Sequence, residues 1–262
     1  MTTTSERKKK CAVCGEVSKH SVVRSAGRHG SPDLDTRPPS LERFTIDTWV
    51  QRCPSCGYCS WSISRRVPRG ASEVVRSELY QVQLRSRDFP RLANQFLCWS
   101  LVQEQAGNFA GAGWACIHAA WVCDDAAEFN MLYGNVSGQE MGVRDEAAAA
   151  RNCRLKAALL LARARERGQR FGVQVGSEEA LMADLLRRAG RFDSAIRMAD
   201  CGLNEDPKEV LACILELQKK LAASSDAGCH TIAEAIKGKR DSILKKMDKD
   251  AEPGGGEQAP GK

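Results

Sequence analysis

The second part of the chain carries apolar residues at helical spacing. Segment 72–87, for example, opens on a serine, a common N-cap residue, and places Val75, Leu79 and Val82 on one stripe. Aromatic residues are sparse while alanine and leucine are frequent, which favours helices over a β-sandwich. The pattern predicts further helices at 90–107, 146–168, 208–223 and 231–247.

One helical motif occurs twice in this region. The pattern A-G-x-F-x-x-A begins at Ala106 and again at Ala189. In a tetratricopeptide repeat, a glycine-containing turn joins two helices, an aromatic residue opens the second helix, and a small residue lies at their crossing. In the second copy, the residues at these offsets and the proline that follows are Gly190, Phe192, Ala195 and Pro207. Tetratricopeptide-like hairpins are therefore predicted, the alternative being unrelated helical hairpins, at 90–123 and 176–209, with a loop at 131–145.

The first seventy residues have shorter apolar runs than the helical part, and they contain two cysteine motifs of the same form, C-x2-C-G. Strands are predicted at 20–25 and 43–52, and the glycine- and proline-rich segment 27–40 is predicted to be a loop. The sequences CAVCG and CPSCG each pair two thiols and follow them with a glycine that permits a tight turn. Four thiolates form the tetrahedral set that Zn²⁺ prefers. We therefore predict one structural Zn²⁺, with the ligands Cys11, Cys14, Cys53 and Cys56.

One further cysteine in the first sixty residues, Cys59, offers an alternative metal ligand. Cys59 could replace one of the four ligands, because it also stands in C-x2-C spacing with Cys56, but a packed or free thiol is the preferred interpretation. His20 and His29 are expected to face solvent, since four cysteines already fill the metal shell. Single cysteines among apolar neighbours are predicted to be buried. They are Cys98, Cys116, Cys123, Cys153, Cys201, Cys213 and Cys229.

These patterns together predict a mainly α fold, in which a small β zinc-ribbon-like N-terminal module is followed by a tetratricopeptide-like helical array. The predicted boundaries are a basic disordered tail at 1–10, a zinc-ribbon-like module at 11–68, a tetratricopeptide-like α-helical domain at 69–247 and a disordered tail at 248–262. Because cysteine pairing ends near residue 60, a fragment of residues 69–247 that folds by itself is one hypothesis.

Charge is divided unevenly between the two parts. Residues 1–70 contain 13 Lys and Arg against 6 Asp and Glu, a net charge of +7, whereas the whole chain carries +6. There is no apolar run long enough to cross a membrane and no signal-peptide pattern, so we expect a cytoplasmic protein. In that reducing compartment, metal binding or burial explains twelve cysteines better than disulfides do.

The sequence gives little support for catalysis. A closed set of four cysteines leaves no coordination position for water, so the predicted metal is structural. The zinc-protease, nucleophile-elbow, P-loop and dinucleotide-binding motifs are all missing from the sequence. We therefore predict that the protein is not an enzyme.

The order of these features resembles an uncharacterised bacterial family, domain of unknown function 2225. The resemblance spans roughly residues 9–220 and is most specific at Asp33-x-Asp35-x-Arg37-Pro38 and at Cys53-Pro54-x-Cys56-Gly57-Tyr58. Cys59 departs from the family, in which a small residue is more usual at this position. The resemblance implies zinc binding and helical repeats but no activity.

Two functions follow as expectations. In the first, the protein is an adaptor or scaffold whose helical repeats bind a protein or peptide partner. In the alternative, the basic head binds nucleic acid weakly and without sequence specificity, since its basic residues are interleaved with Trp49 and Trp61.

Overall fold

The computed structural model describes residues 2–133 and 145–239. The strands are β1 (Thr3–Lys10), β2 (Val17–Ser25), β3 (Gln51–Arg52) and β4 (Cys59–Ser60). The helices are α1 (Ser40–Arg43), α2 (Ala71–Arg76), α3 (Glu78–Arg85), α4 (Arg91–Gln105), α5 (Phe109–Tyr133), α6 (Glu146–Glu166), α7 (Ser177–Arg188), α8 (Phe192–Leu203), α9 (Glu209–Ala223) and α10 (Ile232–Ile236). The predicted mainly α fold class, with a small β module before a helical array, is confirmed. Most of the predicted loop at 131–145, the end of the predicted helix at 231–247 and the tail at 248–262 lie outside the described residues.

Residues Thr3–Lys10 form a strand, within the segment 1–10 where the sequence predicted a disordered tail. β1 pairs antiparallel with β2, in a register that places Lys9 opposite Ser18. The Lys9 ammonium also donates to the Ser62 hydroxyl at 2.9 Å. The run of charged residues correctly indicated that this segment is exposed to solvent, because most of β1 is exposed. It did not distinguish a disordered tail from an exposed strand, since edge strands are often rich in lysine. The predicted strand at 20–25 lies within β2.

The predicted strand at 43–52 is wrong except for its last two residues. A 3-10 helix at Ile46–Thr48 takes its place. The Thr45 hydroxyl donates to the Glu42 carbonyl at 2.8 Å, and the Thr48 hydroxyl donates to the Thr45 carbonyl at 2.7 Å. These local bonds compete with strand pairing, and an alternating pattern cannot reveal them. The predicted loop at 27–40 has no regular element before Ser40.

The predicted helix at 72–87 is broken at Ser77. This residue is extended, and its hydroxyl accepts from the Tyr80 amide at 3.3 Å as the N-cap of α3. The break turns α3, so that Tyr80 is buried while Leu79 and Val82 are exposed. The predicted apolar stripe is therefore wrong beyond Val75.

Helical hairpins make up the rest of the fold. α4 packs on α5, α5 on α6, and α7 on α8, which in turn packs on α9. The turns before α5 and α8 lie at the two predicted glycines, Gly107 and Gly190, whose φ angles are +75° and +74°. Ala195 is fully buried. That these hairpins are tetratricopeptide repeats stays a prediction.

The N-terminal module shares its core with the helices. Cys53, Tyr58 and Cys59 belong to the same apolar cluster as Phe96 and Val102 of α4. Leu34, from the loop before α1, lies in a second cluster with residues of α7, α8 and α9. The N-terminal module and the helical array, which differ in charge and in cysteine content, are thus packed against each other.

Five of the seven single cysteines are buried as predicted, namely Cys98, Cys116, Cys123, Cys153 and Cys213. Cys201 and Cys229 are exposed, so the prediction is wrong for these two. Cys201 lies on the outer side of α8, and Cys229 lies between Gly228 and His230 in the turn before α10. Within the described ranges, no helix combines the length and apolar character that a membrane crossing requires.

Candidate metal centre and aromatic pocket

The two cysteine motifs fold into the same turn. In the first, the Gly15 amide donates to the Cys11 carbonyl at 2.8 Å, and the Cys11 amide donates to the Glu16 carbonyl at 2.7 Å. In the second, the Gly57 amide donates to the Cys53 carbonyl at 3.0 Å, closing the turn in the same way. Both glycines have positive φ, +80° and +78°, which side chains other than glycine rarely adopt. The trailing glycine of each motif is therefore required by the backbone.

These turns bring the four predicted ligands together. All four sulfur atoms lie within 4.8 Å of one another, and they could hold a metal ion. Cys11 Sγ is 3.8 Å from Cys56 Sγ, and Cys14 Sγ is 3.6 Å from Cys53 Sγ. A tetrahedral site with metal–sulfur bonds of about 2.3 Å has sulfur–sulfur edges of about 3.8 Å. These two edges therefore match such a site.

One side of the sulfur cluster is buried and the other is open. Cys11 and Cys53 are buried, Cys56 is half-buried and Cys14 is exposed. A hydrogen bond from the Glu16 amide lowers the pKa of Cys14 to about 7, whereas burial raises the pKa of Cys11 and Cys56. Among Cys11, Cys14 and Cys56, Cys14 is thus the thiol that most readily supplies the thiolate that a metal binds.

Cys59 lies outside this cluster. Its thiol is fully buried and donates to the Gly57 carbonyl at 3.3 Å. Its amide donates to the Tyr80 hydroxyl at 2.9 Å, and that hydroxyl donates to the Gly57 carbonyl at 3.0 Å. Cys59 therefore connects the second motif to α3, as the interpretation of a packed thiol predicts.

Neither histidine of the module joins the sulfurs. His20 is half-buried, and its Nε2 lies 2.8 Å from the Ser18 hydroxyl. His29 is exposed. The expectation of a solvent-facing residue holds for His29 and only partly for His20.

The segment D-L-D-T-R, at residues 33–37, forms a buried ion-pair network with the helices. Asp35 is 1% exposed and accepts from Trp121 Nε1 at 2.7 Å and from Arg188 at 3.2 Å. Arg37 donates to Asp125 at 2.5 Å. The same segment bonds to the turn before α10, since the Leu34 amide donates to the His230 carbonyl at 2.9 Å. This motif therefore joins the N-terminal module to α5, to α7 and to the turn before α10.

Asp124 is the second carboxylate of this network. It accepts from Arg188 at 2.9 Å and from both terminal nitrogens of Arg154. Burial alone would raise its pKa, but Arg154 and Arg188 lower it below the usual range. Asp124 therefore stays ionised at neutral pH.

A pocket of about 350 Å³ opens between this segment and α5. Its walls include the indoles of Trp49, Trp114 and Trp121 and the imidazole of His118. The His118 ring centroid is 5.0 Å from that of Trp121 and 5.4 Å from that of Trp49. Burial lowers the pKa of His118 to about 4, so this ring is neutral at physiological pH. The pocket is therefore aromatic and uncharged along this wall.

The remaining walls come from the N-terminal module. They include the rings of Pro32, Pro38 and Pro39, and an Arg28–Glu42 ion pair at 2.6 Å. Sequence reasoning missed this pocket. The spacing of Trp114, His118 and Trp121, four and then three residues apart, was the available signal, because such residues share one face of a helix.

The chain matches no model of a known protein family, no curated protein sequence and no solved structure in the comparisons made. The resemblance to domain of unknown function 2225 therefore stays a prediction that rests on the motif residues.

Proposed function

We propose that this protein is a non-enzymatic zinc-binding adaptor that holds a segment of a protein partner in its aromatic pocket. The observation that carries the proposal is the pocket itself, which three tryptophan side chains line at the junction of the N-terminal module and α5.

The metal part of the proposal rests on the four sulfurs. The sulfur–sulfur distances of 3.6 Å (Cys14 to Cys53) and 3.8 Å (Cys11 to Cys56) suit Zn²⁺ with four thiolate ligands. Such a shell leaves no place for a reacting water, which supports a structural metal and a binding function rather than catalysis. Zinc would fix the segment between the two motifs, and that segment contributes Trp49 and the proline rings to the pocket.

The ligand part of the proposal rests on the chemistry of the pocket walls. Large aromatic side chains that are already fixed lose little freedom on binding, and they dominate the energetics of many interfaces. Trp121 is fixed by its bond to Asp35, and Trp49 by a bond from its Nε1 to the Thr45 hydroxyl at 2.8 Å. Aromatic-lined grooves commonly bind proline-containing extended segments. We therefore propose a peptide segment that inserts a proline or aromatic side chain.

Selection from a displayed library of random peptides tests this function. Peptides are selected on the zinc-loaded full chain and then measured against Trp114→Ala, because Trp114 is half-buried and its loss should spare the fold. We expect peptides with a shared proline or aromatic anchor whose affinity falls about tenfold or more in Trp114→Ala. The matched control is Trp61→Ala, which removes an exposed tryptophan outside the pocket. Selected peptides that bind Trp114→Ala as well as the unchanged chain would contradict the proposal.

Nucleic-acid binding is a second candidate function, favoured by the β1–β2 hairpin. The hairpin carries Arg7, Lys8, Lys9, Lys10, Lys19 and Arg24, against two glutamates, Glu6 and, in the connecting turn, Glu16. Such a surface binds phosphates loosely, with a dissociation constant of about 10⁻⁴–10⁻⁶ M at physiological salt.

A further inference from the structure

A second pocket, of about 430 Å³, lies beside the second cysteine motif. It is formed where β2, the 3-10 helix, β3 and the first turn of α4 meet. Its charged and polar lining includes Lys19, His20, Asp47, Arg52, Arg91 and Gln95. No residue of the aromatic pocket takes part. An inference drawn from this pocket is therefore independent of the proposed adaptor function.

Arg52 is the most informative residue of this pocket. Its side chain is partly buried, and its Nε is fully buried with no hydrogen-bond partner. Within the described part of the chain, its guanidinium has neither a carboxylate partner nor a hydrogen bond. Other partly buried arginines in this protein, such as Arg43, have a carboxylate partner. A buried N–H donor without a partner is unfavourable, and an anion that accepts from Nε and from a terminal nitrogen of Arg52 would satisfy it.

The neighbouring charges favour an anion in the same place. Arg91 is exposed at the start of α4, and no ion pair engages it within the described residues. In the part of the chain that the structure describes, the Lys19 ammonium forms one ion pair, at 3.6 Å from the exposed Glu6 carboxylate. The Ser21 hydroxyl adds a hydrogen-bond donor to the lining. Three cations thus face one carboxylate, Asp47, which is exposed and works against an anion.

A stacking surface, the exposed indole of Trp61, is linked to the pocket through Lys9 of β1. Lys9 stands opposite Ser18 of the pocket, and its ammonium bonds to Ser62, next to Trp61. Trp61 is 50% exposed, and the Arg65 guanidinium lies 4.1 Å from the centre of its ring. An exposed indole beside phosphate-binding cations is the combination that single-stranded nucleic acid requires, because its bases are free to stack.

We propose that the pocket around Arg52 binds a phosphate group of a single-stranded nucleic acid. The Arg52 and Arg91 guanidiniums and the Lys19 ammonium bind the phosphate oxygens, and a neighbouring base stacks on Trp61. Phosphate contacts of this kind fix position and carry no sequence information, so binding is independent of sequence.

Fluorescence anisotropy with a fluorescein-labelled twelve-nucleotide oligouridylate and the zinc-loaded full chain tests this site. Arg91→Gln, Lys19→Gln and Arg52→Gln should each weaken binding by about threefold to tenfold. Each should also make the dependence of log affinity on log salt shallower by about 0.7, the value for one contact to a single strand. Asp47→Asn should tighten binding by about twofold, because it removes the opposing charge.

The matched control is Arg197→Gln, which makes the same charge change on the exposed side of α8. Arg91 and Arg197 are both exposed, so this pair gives a comparison even where Arg52→Gln fails to fold. Equal affinities and equal salt slopes for Arg91→Gln and Arg197→Gln would overturn the site.

Two further arms identify the source of the phosphate. Inorganic phosphate should displace the oligouridylate only at phosphate concentrations far above those of an unlabelled oligomer. If inorganic phosphate displaces the oligouridylate at the same concentration of phosphate groups as the unlabelled oligomer, the nucleic-acid assignment is overturned in favour of a small phosphate ligand.

A twelve-base-pair DNA duplex should bind more weakly than the single strand, and Trp61→Ala should remove that difference. A duplex that binds as tightly as the single strand would overturn the stacking role. Peptide binding by Trp114→Ala takes no part in these outcomes, so either proposal can fail alone.

Discussion

Gly15 and Gly57 occupy the same position in the two cysteine turns, but their surroundings differ. A methyl group on Gly57 would lie 2.6 Å from Leu84 Cδ2, whereas on Gly15 the nearest neighbouring atom would be Lys10 Cε at 3.8 Å. Alanine at either position also adopts an unfavourable left-handed backbone, at a cost of about 1–2 kcal/mol. We expect Gly57→Ala to lower the free energy of unfolding by more than Gly15→Ala. Chemical denaturation of the two zinc-loaded variants checks this, and an equal loss would contradict the close packing of Gly57 on α3.

His118 gives a prediction about pH. Its pKa in the folded protein is about 4, against an ordinary value of 6.5. Between these values the unfolded chain binds a proton that the folded chain does not, so stability falls as pH drops from about 6.5 to about 4. Carboxylates of lowered pKa, such as Asp124, lose their stabilisation only below their ordinary pKa of 3.8, outside the range between pH 7 and pH 5. In His118→Gln the histidine contribution disappears, and urea unfolding between pH 7 and pH 5 should show a smaller loss than in the unchanged protein. Identical losses would mean that His118 is not desolvated.

The loop that carries Asp35 connects α5 and α7 through buried polar contacts. Asp35→Asn keeps an acceptor for Trp121 but removes the charge that faces Arg188. Breaking a buried ion pair on one side typically costs about 3–5 kcal/mol. Because Asp124 still pairs with Arg188, we expect a loss of about 2–4 kcal/mol.

The control is Asp200→Asn, which makes the same change in an exposed pair with Lys219. Such surface pairs contribute about 0–1 kcal/mol. Thermal and chemical unfolding of both variants gives the comparison. A loss in Asp35→Asn no larger than in Asp200→Asn would show that the network does not stabilise the fold.

Elements were predictable from the sequence where the determining contacts are local. The four cysteines, the helix-joining turns at Gly107 and Gly190, and the loop at 27–40 follow from spacing and from residue type. The 3-10 helix after α1 was not predictable, because hydroxyl-to-backbone bonds of Thr45 and Thr48 replace strand pairing there. The partners of Asp35 were equally out of reach, since Trp121 and Arg188 are distant in sequence. A motif such as D-L-D-T-R shows which residues matter but does not show what they contact.

For the whole molecule, the packing predicts that residues 69–247 do not fold alone. This fragment lacks Tyr58, which is 1% exposed in the core shared with α4, and Leu34, which is 3% exposed against α7 and α9. Burying side chains of this size contributes about 1.5–3 kcal/mol each, a large share of a typical net stability. We expect a fragment with helical circular dichroism but no cooperative thermal transition. A cooperative transition near that of the full chain would restore the hypothesis of separable parts.

The central claim about the whole molecule is that four cysteines bind one zinc ion. Elemental analysis by mass spectrometry, on protein purified without added zinc, measures it directly. We predict about one zinc ion per chain in the unchanged protein and in Cys59→Ser, and almost none in Cys11→Ser or Cys53→Ser, which should also lose the cooperative unfolding of the N-terminal module. Protein that folds without zinc, or zinc that is lost in Cys59→Ser and kept in Cys53→Ser, would contradict the assignment of Cys11, Cys14, Cys53 and Cys56 as the metal ligands.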